Sequence, residues 1–147
     1  MKLLTVILFC GLLNAQEVEI TSVVHSVVSG YSVYYQMRDR ELYRQGDVEY
    51  KKYNSLWHYA QSLELGLSLP LGTAISENHN IIDISKDVVL FSAIRWLVRD
   101  GVYNMLNGHP FFYQSPNTTA LLEPFGKWYV KVGYFIIAVF FKYVRFG

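Results

Sequence analysis

Charged and amide side chains interrupt an otherwise apolar stretch in the second half of the chain, and they are the residues best able to do chemistry. Arg95 and Arg99 are four residues apart, so in a helix they share one face and repel each other. Asp100 and Asn104 form a second polar stripe beside them. On a membrane-insertion scale, each charge at a bilayer centre costs about 2.5–3.5 kcal/mol, and each Leu, Ile, Val or Phe returns about 0.3–0.6 kcal/mol. We therefore expect this helix to pair its charges with other protein or to lie at a water boundary.

An acidic partner for the arginines is expected on the preceding helix. Glu64 lies midway along that helix, and Asp83 or Asp87 could reach the other end. Three interpretations are open: structural ion pairs within a bundle, a polar binding or catalytic pocket, and an interfacial helix with its arginines at lipid headgroups. The predicted polar cluster consists of Glu64, Arg95, Arg99, Asp100 and Asn104, and the catalytic candidates, if the protein is an enzyme, are His58, Glu64 and Asp100.

Familiar catalytic and metal-binding motifs are not found in the sequence. The four histidines are scattered, without a His-Glu-x-x-His pair or a carboxylate cluster of metal-site spacing. Nucleophile-elbow, phosphate-loop and Ser-x-x-Lys patterns do not occur either. We therefore predict no cofactor and no metal.

Composition shifts the chain towards membrane contact. Hydrophobic residues make up 52% and charged residues 17%, against ordinary values of about 45–50% and 25%. The net charge of +1 and the lack of a long basic run argue against nucleic-acid binding. The expected partners are a lipid bilayer and either an envelope protein or further copies of the chain.

Residues 1–15 have the pattern of a secretory signal peptide. Lys2 precedes an apolar core from Leu3 to Leu13, and cleavage is expected after Ala15. This core would span about 16 Å as a helix, too little for a bilayer of about 30 Å. Because Leu13 is bulky for its place before the cut, an uncleaved anchor is the alternative. The only cysteine, Cys10, lies in this leader, so the mature chain would have none. The chain is expected in a bacterial cell envelope, at the inner membrane, with its N-terminal part exported.

The segment 16–54 is predicted to be an exported, amphipathic and charged N-terminal part. Its residues 17–36 repeat valines at spacings of three and four, which favours a helix, although their β-branched content also suits a strand. Residues 38–53 carry mixed charge and indicate a solvated or interfacial helix with a break near Gly46.

Residues 55–147 are predicted to form a helical membrane-associated domain. Helices 55–75 and 86–107 would make a hairpin, with Pro70 kinking or ending the first and Asn107-Gly108 ending the second. The last helix, at 128–146, is the predicted transmembrane helix. Aromatic residues occupy its interfacial positions, and its basic residues would snorkel outward: Trp128, Tyr129 and Tyr143 are the aromatic residues, and Lys131, Lys142 and Arg145 the basic ones.

The stretch from Arg95 to Asn104, followed by Gly108 to Tyr113 and Thr118-Thr119, resembles small uncharacterised proteins encoded by phages and prophages of Gram-negative bacteria. In these proteins an Arg…Asp…Asn helix leads into a Gly-x-Pro-x-x-Tyr loop ahead of a final hydrophobic helix. The resemblance covers about residues 55–146. It implies a compact membrane-associated unit in which the polar helix and the proline loop, residues 108–126, belong together. It implies no activity.

The sequence therefore predicts an all-α, small membrane-associated helical bundle with a C-terminal transmembrane helix. Its predicted function is that of an exported, membrane-anchored envelope protein that is not an enzyme and acts through protein or membrane contacts, for example in phage-related surface modification or lysis. The alternatives are an intramembrane enzyme or small-solute site that uses the polar cluster, and an oligomeric pore lined by the Arg95 face.

Overall fold

Four helices account for most of the described chain. The computed structural model describes residues 18–76, 80–114 and 127–144. No strand occurs within these ranges, which confirms the all-α prediction. The leader at 1–15, residues 115–126 of the proline loop and Arg145 lie outside the described residues. The helices are α1 Val18–Gln45, α2 Tyr50–Ser76, α3 Ile81–Leu106 and α4 Trp128–Tyr143.

A glycine turn ends α1, near the predicted break. Gly46 has a φ of 72°, a left-handed conformation that glycine adopts without a Cβ clash. The Asp47 N–H donates to the Leu42 carbonyl at 3.0 Å, which closes the last turn of the helix. The Asp47 carboxylate accepts from the Glu49 N–H at 2.9 Å, and α2 begins at the next residue. The helical interpretation of residues 17–36 is confirmed from Val18 onward, where the described residues begin, and the helix continues to Gln45.

The central helices begin and end at positions that their capping residues explain. The α2 helix continues past Pro70 to Ser76, so the proline does not end it. The α3 helix begins at Ile81 rather than at residue 86, because the Asn80 side chain accepts from the Ile82 N–H at 3.0 Å and caps the first turn. It ends at Leu106, where the Asn107-Gly108 signal predicted its end.

The α1 helix lies between α2 and α3. It runs antiparallel to α2, since Tyr43 meets Tyr50 at the turn and His25 meets Ser68 farther along. It runs parallel to α3, with His25 opposite Phe91 and Gly30 opposite Val102. Direct contacts between α2 and α3 are few. The predicted hairpin of these two helices is therefore not found, because α1 separates them.

Small polar residues form the buried face of α1. Ser22, Ser26 and Ser29 are almost fully buried, whereas Val23 is 43% exposed. The Ser26 hydroxyl donates to the Ser22 carbonyl at 2.6 Å, so it is satisfied within its own helix. Small side chains allow close approach of neighbouring helices, as is common between helices in membranes. This face lets both α2 and α3 pack closely against α1.

The α4 helix packs antiparallel on α3 and completes the bundle. Its Ala138 is fully buried against a cluster that α3 contributes, Leu90, Ala93 and Ile94. Partly buried aromatic and valine side chains surround this cluster. It joins α4 to the rest of the bundle through ordinary apolar packing.

None of the helices in the described ranges combines the length and the apolar character that crossing a membrane requires. The predicted transmembrane helix at 128–146 is therefore not found. The α4 helix has 16 residues, about 24 Å at 1.5 Å per residue, and it contains Lys131 and Lys142.

Gly30 marks a close approach of α1 to α3. A Cβ atom at this position would lie 2.8 Å from the Val102 side chain and 3.0 Å from the Arg99 carbonyl oxygen. We expect Gly30→Ala to lower the free energy of unfolding by about 1–3 kcal/mol, because the helices must move apart. Urea denaturation followed by circular dichroism would measure the change.

Gly133→Ala is the matched control for this substitution. A Cβ at Gly133 would meet no atom within 4 Å, so the higher helix propensity of alanine should leave stability unchanged or raise it by up to about 1 kcal/mol. An equal decrease in the free energy of unfolding in the two variants would contradict the close approach of the helices at Gly30.

Candidate functional site

The first part of the candidate site is an ion pair between α2 and α3. The Arg95 Nη2 atom donates to the Glu64 Oε1 atom at 3.0 Å. The side chains are 34% and 18% exposed, respectively, so solvent screens the pair only in part. Glu64 is therefore the ion-pair partner of Arg95, as predicted. The two side chains meet although the helices that carry them make few other direct contacts.

His25 of α1 completes this cluster, and the sequence reasoning missed it. Its Nδ1 atom lies 3.4 Å from Arg95 Nη1, and its Nε2 atom lies 3.1 Å from the Ser68 hydroxyl. Because a guanidinium group can only donate, Nδ1 accepts and Nε2 carries the proton. The available signal was a single histidine in the uncharged run between Glu19 and Arg38.

The environment of His25 favours its neutral form. Burial lowers its pKa from the ordinary 6.5, and the positive charge of Arg95 lowers it further, while Glu64 opposes both effects. The edge of the imidazole also packs against the Phe91 ring, with centroids 5.5 Å apart. His25 is thus held as a neutral hydrogen-bonding residue at the junction of three helices.

The His25 and Ser68 pair lacks the arrangement that activates a serine nucleophile. In such a site, a carboxylate accepts from the second ring nitrogen of the histidine and stabilises its protonated form. Here the second nitrogen faces the Arg95 guanidinium, which weakens the base. The Ser68 hydroxyl instead donates to the Glu64 carbonyl oxygen at 2.9 Å. The geometry supports a structural network more than nucleophilic catalysis.

Two further ion pairs join α3 to α4. Lys131 Nζ donates to Asp100 Oδ2 at 2.5 Å and lies 5.9 Å from the centroid of the Trp96 ring. Lys142 Nζ donates to Asp87 Oδ1, and the Asp87 side chain is fully buried. The expectation that these lysines snorkel outward is wrong, because α3 places two carboxylates beneath α4.

Arg99 has no ion pair among the described residues. Asp87 is engaged by α4, and Asp83 pairs with Lys86 within α3 at 3.2 Å. The expected acidic partner opposite Arg99 is therefore not found in the described part of the chain.

Asn104 fastens the start of the proline loop to α3. Its Nδ2 atom donates to the carbonyl oxygens of Phe111 at 3.0 Å and Tyr113 at 2.8 Å. The Phe111 ring occupies the space above Gly101, where a Cβ atom would lie 2.0 Å from the ring. His109 stacks on Tyr113 with centroids 3.9 Å apart. Asn104 therefore acts as a clamp for the residues that follow the helix.

The three catalytic candidates do not come together. His58 is exposed and packs beside Trp57, with ring centroids 4.5 Å apart. No described hydrogen bond or ion pair joins it to Glu64 or Asp100, which belong to separate ion pairs. In the same ranges, no group of three or more His, Cys, Asp or Glu side chains is placed to hold a metal ion.

No protein-family model matches the chain, and no curated protein or solved structure shows significant similarity to it. The resemblance to phage and prophage proteins stays a prediction. Functional inference for this protein therefore depends on its own geometry.

The pair between Lys142 and Asp87 allows a direct test of buried charge. Lys142→Met should lower the free energy of unfolding by about 3 kcal/mol, because a fully buried carboxylate loses its cation. Lys131→Met makes the same change in the same helix, but Asp100 is 39% exposed and water can solvate it. The cost there should stay below about 1 kcal/mol. If urea denaturation showed similar decreases in the free energy of unfolding for the two variants, burial of the carboxylate would not determine the cost of losing its lysine.

The lowered pKa of His25 predicts a pH-dependent stability. As the pH falls below about 6.5, the unfolded chain binds a proton before the folded protein does, so the free energy of unfolding decreases. We expect His25→Gln to flatten this dependence between about pH 7.5 and about pH 5.5, measured by urea denaturation. His58→Gln, at an exposed histidine, should leave it intact. A full pH dependence in the His25 variant would refute the assignment.

Proposed function

We propose that this protein is a non-enzymatic envelope protein that binds the surface of a lipid bilayer through the outward face of α4. The observation that carries the proposal is an apolar stripe on this helix. Ile136, Ile137 and Phe140 are 60%, 64% and 66% exposed. Trp128 and Tyr129 lie at one end of the helix and Tyr143 at the other, all at least half exposed. Aromatic residues in these positions are typical of membrane interfaces.

The ion pairs with α3 keep this face free of charge. The only charged residues of α4 are Lys131 and Lys142, and their side chains are 13% and 21% exposed. Both ammonium groups point at carboxylates of α3. No charged side chain of α4 itself therefore lies on the central stripe. The nearest charges are at its two ends, where the Glu19 carboxylate accepts from the Tyr143 hydroxyl at 2.8 Å and Lys127 Nζ lies 5.9 Å from the centroid of the Tyr129 ring.

The energy available from this face fits reversible binding. Full burial of a large apolar side chain contributes about 1.5–3 kcal/mol. Since about two-thirds of each of the three central side chains is exposed, their transfer to the acyl boundary would contribute about 3–6 kcal/mol. An amphipathic helix that lies in the interface binds in this way without spanning the bilayer.

The proposal places the protein at the inner membrane of a bacterial envelope. Its support in the sequence is the leader pattern at 1–15 and the apolar and aromatic composition. The bundle would then act through lipid contacts and through proteins bound at the same surface.

Cosedimentation with phosphatidylcholine vesicles tests the α4 face. We expect the double variant Ile136→Ser and Ile137→Ser to lower the partition coefficient at least about tenfold, because the central part of the stripe is lost. Leu65→Ser and Leu69→Ser on α2 form the matched control, since those leucines are 67% and 75% exposed but lie on another helix.

Three results would overturn the proposal. The first is that the wild-type protein does not sediment with the vesicles, and the second is that the two double variants lose binding equally. The third is a change confined to oligomeric state in light scattering, which would assign the α4 face to a second copy of the chain instead of to lipid.

A further inference from the structure

An open groove lies where the C-terminal ends of α1 and α3 run side by side. Its volume is about 420 Å³, within the range of small-ligand sites. The groove is at the end of the bundle where Asn104 holds the proline loop and Phe112 meets Trp128. Its lining includes Arg38, Arg40, Arg44 and the acidic Glu41, together with Tyr34 and Tyr103.

Two of the arginines are available to an anion. Arg38 donates to Glu41 at 2.6 Å, and this pair neutralises itself. Arg40 and Arg44 are exposed and have no ion pair within the described residues. They are four residues apart on one helix, so they repel each other until a negative group lies between them.

The helix ends do not cancel this charge. The C-termini of α1 and α3 each carry about half a negative elementary charge, so together they offset about one arginine. With Glu41 balanced by Arg38, a surplus of about one positive charge remains in the groove. The arginines therefore do more than compensate the helix ends.

The groups around the groove suit a phosphate. Guanidinium groups present planar forks that match the oxygens of a phosphate, and their hydrogen bonds to it are charge-assisted. The phenol groups of Tyr34 and Tyr103 line the same space and add hydroxyl donors. A carboxylate ligand has fewer oxygens and a single charge, so it would use this arrangement less fully.

We propose that the groove between α1 and α3 binds a phosphate-bearing ligand, with Arg40 and Arg44 contacting the phosphate and Tyr34 and Tyr103 flanking it. The phosphate belongs to a soluble small molecule or to a lipid headgroup. This inference goes beyond the membrane face of α4 and does not require it, since a soluble phosphate would reach the groove without a bilayer.

Isothermal titration calorimetry with pyrophosphate tests the soluble source. Vesicles of phosphatidylcholine, with and without phosphatidylglycerol, test the lipid source. The double variant Arg40→Gln and Arg44→Gln should weaken binding at least about tenfold, either to pyrophosphate or to the phosphatidylglycerol vesicles, whichever the wild-type protein binds. The reason is that two charge-assisted contacts to the phosphate are lost. Lys51→Gln and Lys52→Gln remove the same charge from exposed positions at the start of α2 and form the control.

The outcomes separate the sources. Saturable pyrophosphate binding that only the arginine variant loses supports a soluble ligand. A gain from phosphatidylglycerol that only this variant loses, without pyrophosphate binding, supports a headgroup. The proposal fails if pyrophosphate does not bind and phosphatidylglycerol adds nothing to vesicle binding, or if the two double variants respond alike. Failure of the α4 proposal is distinct, because it shows as no binding to pure phosphatidylcholine vesicles.

Discussion

Neutralisation of the charges on α3 is the constraint on which the rest of the bundle depends. Asp87, Arg95 and Asp100 project from one helix, and each meets an opposite charge on another. The two carboxylates bind lysines near opposite ends of α4, which fixes the direction and the register of that helix. The arginine binds Glu64 of α2 and also contacts His25 of α1. A shift of α2 or α4 relative to α3 would separate one or more of these ion pairs, and the Asp87 carboxylate in one of them is fully buried.

Ion pairs and hydrogen bonds between helices contribute more to the arrangement of this bundle because its apolar core is small. Much of the surface that α1 buries is serine, and among the described residues only a few large apolar side chains are fully enclosed. Serine side chains bury little apolar area, so the hydrophobic contribution to folding along α1 is modest. The helices are positioned instead by the close approach of α1 and α3 at Gly30 and by the hydrogen bonds of His25. Many large apolar side chains are left on the outside, including those on α4.

The sequence predicted local structure better than packing. Glycine and asparagine signals located the break at Gly46 and the end of α3, and charge complementarity identified Glu64 as the partner of Arg95. The Asn80 cap sets the start of α3 at Ile81, whereas the sequence predicted a start at residue 86. The position of α1 between its neighbours was not predictable from periodicity, because the buried face is the serine face and not the valine stripe. The inward turn of Lys131 and Lys142 depends on carboxylates of another helix, and no property of residues 128–146 alone contains it.

The overall hydrophobicity of a helix can therefore differ from the hydrophobicity of the face that it exposes. An isolated α4 would bring two lysines to a membrane, and a charge at a bilayer centre costs about 2.5–3.5 kcal/mol, against about 0.3–0.6 kcal/mol returned by each isoleucine or phenylalanine. In the bundle, the carboxylates of α3 hold both ammonium groups on the buried side, and the exposed stripe keeps only apolar and aromatic groups. The charges of α3 and the surface of α4 are thus linked: the aspartates of α3 hold both lysines of α4 on the buried side and leave its outward stripe apolar. Under the proposed function, this ion pairing is what gives α4 the face that contacts lipid.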